Sequence, residues 1–123
     1  FVLFSDLEGF TKMSHAMPPE MVAKLLNRYL DIQSQLILDH GGVIDKFVGD
    51  GVIAFWGAPI ARPDDGERAA RAGYAIWQAG EAFRREVAAM DPALPPIGKT
   101  RVGLHHGEAV IGNFGGATRI QYT

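Results

Sequence analysis

The chain contains no cysteine, which removes disulfides and thiolate-bound metals from consideration and fits a reducing compartment. No apolar stretch approaches the roughly 18 to 20 residues of a membrane-spanning helix. Basic residues are not in excess: 12 Lys and Arg face 14 Asp and Glu, a net charge of −2. That balance excludes the positive field that holds a nucleic-acid backbone, so no nucleic-acid partner is expected. There is no signal-peptide pattern, internal repeat or low-complexity segment. What remains is ordinary for a globule, with 47% hydrophobic and 21% charged residues. The 123 residues suit one domain that buries about two-thirds of its unfolded surface. The chain opens at Phe1 with no lead-in and stops at Thr123 inside a strand-like run. The expectation is a partial domain over residues 1–123, with its C-terminal part missing.

The periodicities alternate between two and 3.6. Phe1 to Ser5 reads as a buried strand, and "DLEGFT" leads into a helical run. Pro18-Pro19 mark the start of a helix whose inner line is Val22, Leu25, Leu26, Tyr29, Gln33, Leu36 and Ile37. It should end at Gly41-Gly42. Val43 to Val48 and Val52 to Trp56 flank Gly49-Asp50-Gly51, a hairpin signal. A second long helix follows the loop from Ala58 to Asp65, with Ala69, Ile76, Trp77, Phe83 and Val87 expected inside. Gly73 and Gly80 weaken that helix, by about 1 kcal/mol each relative to alanine, and suit close packing on a sheet. Arg101 to His106, Ala109 to Phe114 and a run from Arg119 to Thr123 read as strands. The order is β-α-β-β-α-β with further strand, an α+β fold. It is the ferredoxin-like sandwich with an additional C-terminal strand hairpin.

This topology puts the central hairpin beside the first strand. Asp50, at the hairpin tip, then approaches Asp6, at the end of strand one. Two carboxylates that share a site repel unless a cation neutralises them. Oxygen ligands without cysteine or a histidine pair suit Mg²⁺ or Mn²⁺ rather than Zn²⁺. The glycine turn after Asp6 can bring backbone N–H groups to an anion as the next helix starts. The plain alternative is that Asp6 caps that helix and Asp50 is an ordinary turn aspartate.

Four segments in order, "FSDLEGFT", "IDKFVGDGVIAFWG", "RVGLHHGEAVIGNFGG" and "RIQYT", resemble the motifs of the class III nucleotidyl cyclase catalytic domain, of the bacterial adenylate cyclase type. The resemblance covers nearly the whole chain. It implies that Asp6 and Asp50 are catalytic and bind two Mg²⁺ or Mn²⁺ ions, with the Leu7 carbonyl as a further ligand. It assigns Leu7, Glu8, Gly9, Phe10 and Thr11 to the loop around the β- and γ-phosphates, with Val48 and Gly49 flanking the second acid. Lys46 and Thr123 match the purine-selecting pair. The chemistry of Lys46 agrees: an ammonium donates hydrogen bonds, and adenine N1 accepts where guanine carries an N1–H donor. The family pattern continues past "QYT" into an asparagine, an arginine and a lysine that this chain does not contain.

The resemblance also implies ATP as substrate, cyclic AMP as product and a role in cyclic-nucleotide signalling. It implies a head-to-tail homodimer with shared sites, and a regulatory domain elsewhere in the same parent chain. The expected place is the cytoplasm, for a parent that can carry a membrane anchor ahead of Phe1. The rival readings are a guanylate cyclase, a degenerate nucleotide-binding or dimerisation module, and another two-metal enzyme on a ferredoxin-like sheet. The adjacent His105 and His106 point to opposite faces of a strand and read as structural.

Overall fold

A computed structural model describes residues 1–58, 60–90, 94–107, 110–114 and 117–121, the last two spans as backbone. Its elements are β1 (Val2–Leu7), α1 (Phe10–Ser14), α2 (Pro19–Asp39), β2 (Val43–Val48), β3 (Gly51–Phe55), α3 (Asp65–Met90), β4 (Thr100–His105), β5 (Val110–Phe114) and β6 (Ala117–Gln121). The first four strands in space run β2-β3-β1-β4, all antiparallel, which is the ferredoxin-like order expected above. The hairpin of β5 and β6 forms a separate two-stranded sheet.

Both long helices pack on one face of the four-stranded sheet. Strand alternation turns Leu3, Ser5 and Leu7 of β1, and Val52 and Ala54 of β3, towards them, and all five are buried. On α2 the residues Leu25, Tyr29, Gln33 and Ile37 recur every fourth position and form the buried stripe. Pro18 and Pro19 start the helix, where a missing N–H costs nothing. Val22, Leu26 and Leu36 lie on the flanks and are half-buried.

The core divides in two. Leu3, Ile37, Val52, Ala54, Trp56 and Ile76 fill one half. Leu7, Met13, Leu25, Tyr29, Phe83 and Val87 fill the other, under the end of β1. Gln33 sits between Tyr29 and Ile37 on the stripe, where the halves meet.

Two expectations are corrected. Trp77 is 45% exposed, because it lies one step beyond Ile76 and so turns about 100° off the buried line; it stacks instead on Tyr74. The first strand is not enclosed on both faces: Phe4 is 40% exposed on the side without helices. The close-packing role of the α3 glycines holds. A Cβ at Gly80 would collide with the Thr100 side chain, and one at Gly73 would crowd Val102.

The pairing of β2 with β3 slips by one residue between Ile44 and Lys46. This bulge places Lys46 opposite Ile53, on the face that carries Phe4.

Candidate functional site

The open face of the sheet carries a groove of about 440 Å³, lined by Phe4, Asp6, Val48, Ile53, Arg101 and Gly103 among others. That volume is in the range of small-molecule sites. Asp6 reaches this face by alternation, since Ser5 and Leu7 on either side are turned to the helices.

Register puts Asp6 directly opposite Arg101 on β4. The two meet as a fork: Arg101 Nε donates to Asp6 Oδ1 at 2.7 Å and its terminal nitrogen to Oδ2 at 2.8 Å. The Asp6 carboxylate, hydrogen-bonded first and by charge second, raises the Arg101 pKa above its ordinary value. Arg101 was not singled out from sequence. A basic residue at the start of a strand that pairs with the acid's strand was the signal available.

Asp50 approaches from the hairpin. Its Oδ2 accepts the backbone N–H of Leu7 at 2.7 Å, across 43 positions of chain. This is not the local bond of a turn aspartate. Gly49, at φ 58°, makes the tight turn before it. Nor does Asp6 cap the next helix: Gly9, at φ 68°, stands at the N-cap of α1, with no side-chain cap bond. Asp6 thus makes no helix-capping bond, and Asp50 bonds outside its own turn. The turn after β1 is tied down again where Glu8 N–H donates to the Lys99 carbonyl at 2.8 Å. Glu8 itself is exposed.

Lys46 is exposed on the open face. It stands in the row of Phe4, two residues along from Asp6 and two strands away, about 12 Å at ordinary strand spacing and rise. Val48, opposite Gly51, closes the groove on that side. The structure thus brings Asp6, Leu7 and Asp50 together and sets Lys46 apart on the same face. Thr123 and the side chain of Arg119 lie outside the described residues.

The donors fit a hard divalent cation. All are oxygens, and Asp6 pairs with the Arg101 guanidinium through both of its own. Among the described residues no three His, Cys, Asp or Glu side chains are placed to hold a metal ion. Two carboxylates and a backbone carbonyl suit Mg²⁺ or Mn²⁺, which complete their shell with water and phosphate oxygens.

Beneath the site lies a layer of buried polar side chains. Ser5 Oγ donates to Gln33 Oε1 at 2.7 Å, and the hydroxyls of Tyr29 and Thr100 are 2.8 Å apart. Burial pushes the Tyr29 pKa up to about 12; Thr100 and, more weakly, Gln33 act the other way, while the charges of Asp50 and Asp6 add to the rise.

An antiparallel sheet that presents two acids and a glycine turn beside an open groove suits the class of proteins that bind phosphates through a divalent cation. Comparison with known proteins narrows the class. The family described as the adenylate and guanylate cyclase catalytic domain matches residues 1–123, and the chain belongs to it. The chain is 39% identical over 121 residues to adenylate cyclase 1 of Rhizobium meliloti, covering 98% of this chain and 18% of that one. It is 35% identical to an adenylate cyclase of Anabaena cylindrica, covering 99% of this chain and 24% of that one. Among solved structures it is similar to the adenylyl cyclase CyaB of P. aeruginosa, with TM-score 0.87, 37% identity and coverage of 99% and 62%. A guanylyl cyclase crystal structure gives TM-score 0.85 and 38% identity, with coverage of 99% and 60%. The chain therefore spans about a fifth of the curated relatives and about three-fifths of the solved chains. Among the described residues no helix is long and apolar enough to cross a membrane.

Proposed function

We propose that this domain, at its full length, is an adenylate cyclase that converts ATP to 3′,5′-cyclic AMP and pyrophosphate for cyclic-nucleotide signalling. The observation that carries the reading is the meeting of Asp6 and Asp50 at Leu7, with Asp50 bonded to the Leu7 N–H at 2.7 Å. Asp6, Asp50 and the Leu7 carbonyl would hold two Mg²⁺ or Mn²⁺ ions, which supply Lewis acidity to the ribose 3′-hydroxyl and neutralise the triphosphate. In the reaction the 3′-oxygen bonds to the α-phosphorus, the bond to pyrophosphate breaks, and the hydroxyl proton leaves.

The residues of this chain bind and orient. The N–H groups of Leu7 and Glu8 are committed to Asp50 and Lys99, so phosphate donors in the loop fall to Gly9, Phe10 and Thr11. Val48 and Gly49 shape the other wall. Arg101 gives the groove a cation for phosphate oxygens. Lys46 donates to adenine N1, with Thr123 as its partner in purine choice. The exposed face that carries Lys46 and the groove is the surface on which a second copy would sit head to tail, completing each site. A regulatory domain of the same parent chain, and a place in the cytoplasm, follow from the same reading.

The likeness to a guanylyl cyclase structure at 38% identity favours a second reading, GTP as substrate. The ammonium of Lys46 opposes it, since it meets a donor on guanine.

The test is turnover of ATP and GTP in parallel by the full-length domain, with Mg²⁺ or Mn²⁺ and chromatographic separation of products. Cyclic AMP should dominate, and Asp6→Ala or Asp50→Ala should each lower it by about 10³-fold or more. Undiminished turnover in Asp50→Ala would sink the metal assignment. No cyclic product from either nucleotide would leave a binding or dimerisation module.

A further inference from the structure

Two of the four buried residues of the α2 stripe are polar. Tyr29 is 2% exposed and Gln33 1%, and their partners Thr100 and Ser5 are also buried. Each partner directly precedes a member of the exposed fork: Ser5 comes before Asp6, and Thr100 before Arg101. Successive strand residues point to opposite faces, so a bond that fixes Ser5 or Thr100 from below fixes the height and tilt of its neighbour above. The pairing of β1 with β4 sets Asp6 opposite Arg101 and Leu7 opposite Thr100, so both anchors act at adjoining points of one ladder. Thr100 is also backed by α3, where only a glycine at position 80 leaves room for it.

Stability does not explain these pairs. Replacing both partners of a buried hydrogen bond by apolar groups of the same shape is nearly neutral. Gln33 even carries a cost, since its Nε2 makes no hydrogen bond among the described residues. A directional bond does what apolar contact cannot: it selects one relative position of helix and strand.

We propose that Tyr29 and Gln33 are positioning residues, which hold β4 and β1 from beneath so that Asp6 and Arg101 keep their geometry in the groove. The inference rests on the reading of Asp6 as a metal ligand.

The test uses the full-length domain as Tyr29→Phe, Thr100→Val and the double variant. Three quantities are measured: the thermal midpoint, the dissociation constant of Mn²⁺ alone by electron paramagnetic resonance, and cyclic AMP turnover. The single variants should lose stability and the double should regain it, while Mn²⁺ binding and turnover in the double stay about tenfold weaker than wild type. Recovery of binding and turnover together with the midpoint would reduce the pair to packing and overturn the inference. Gln33→Met, close in volume, is the second variant. It leaves the buried Ser5 hydroxyl without its acceptor, so the midpoint should fall as in the other single variants; Mn²⁺ binding by the folded protein should weaken about tenfold, and unchanged binding there overturns the inference too. The site reading fails separately, and visibly, if Asp6→Ala binds Mn²⁺ as tightly as wild type.

Discussion

The two faces of the four-stranded sheet are made from the same strands and obey different rules. On the helix side, Leu3, Val52 and Ala54 are at most 1% exposed, and Ser5 pairs with Gln33 and Tyr29 with Thr100 out of water. On the other side Phe4, Val48 and the Asp6–Arg101 fork stand half in solvent. The first face is where the fold is held; the second is where chemistry can be changed at little cost to the fold. The alternation of a strand puts residues of both kinds next to each other in sequence, Ser5 beside Asp6 and Thr100 beside Arg101.

The contrast can be broken at its strong end. Ile76 is fully buried, in the half of the core that includes Leu3 and Trp56. Ile76→Ala should destabilise the domain by about 2–5 kcal/mol, read from urea unfolding. A loss under about 1 kcal/mol would mean that the helix face is loosely packed.

The polar layer between the faces gives a smaller effect with a defined pH. The Tyr29 phenol has a folded pKa of about 12 against about 10 in the unfolded chain. Between those values the unfolded chain has lost its proton and the folded one has kept it. The contribution is therefore fully present below about pH 10 and is lost as pH rises towards about 12. The stability difference between wild type and Tyr29→Phe should shrink across that window by on the order of 2 kcal/mol. A constant difference would show that the phenol titrates alike in both states.

The smallest effect belongs to the open face. The Arg101 and Asp6 side chains are 59% and 44% exposed, so solvent screens their attraction. Arg101→Ala should move the thermal midpoint by no more than about 2 °C. A larger drop would make the fork a structural element and weaken the division between the faces.

Much of this was legible in the sequence, for reasons that differ by residue. The element order and the hairpin followed from hydrophobic period and from the turn at Gly49-Asp50-Gly51. That order alone brought Asp50 to the end of β1. Trp77 was misplaced because a helical pattern shows where the apolar stripe runs, not how wide the cover over it is. Arg101 was missed because its partner lies 95 positions away, and only strand register makes them neighbours. The polar layer was hidden for the same reason: Gln33 and Tyr29 read as stripe members, and nothing local marks Ser5 and Thr100 as their partners. The anion-facing turn after Asp6 was read from its glycine and the helix start, whereas the purine-reading role proposed for Lys46 and Thr123 came from family resemblance.

The bulge between Ile44 and Lys46 has a consequence for how this domain can vary. The side of the sheet on which a residue appears depends on whether it is counted odd or even, and the extra residue in β2 resets that count before Lys46. Were the strand to pair regularly with Asp45 kept, Asp45 would stand opposite Ile53 and the ammonium would turn towards the helices. Deleting Asp45 instead closes the bulge and leaves Lys46 opposite Ile53, so a single-codon deletion here changes the spelling of the strand and not its meaning. A graft between related domains that keeps position 46 on the open face therefore needs either the bulge or one residue fewer before it.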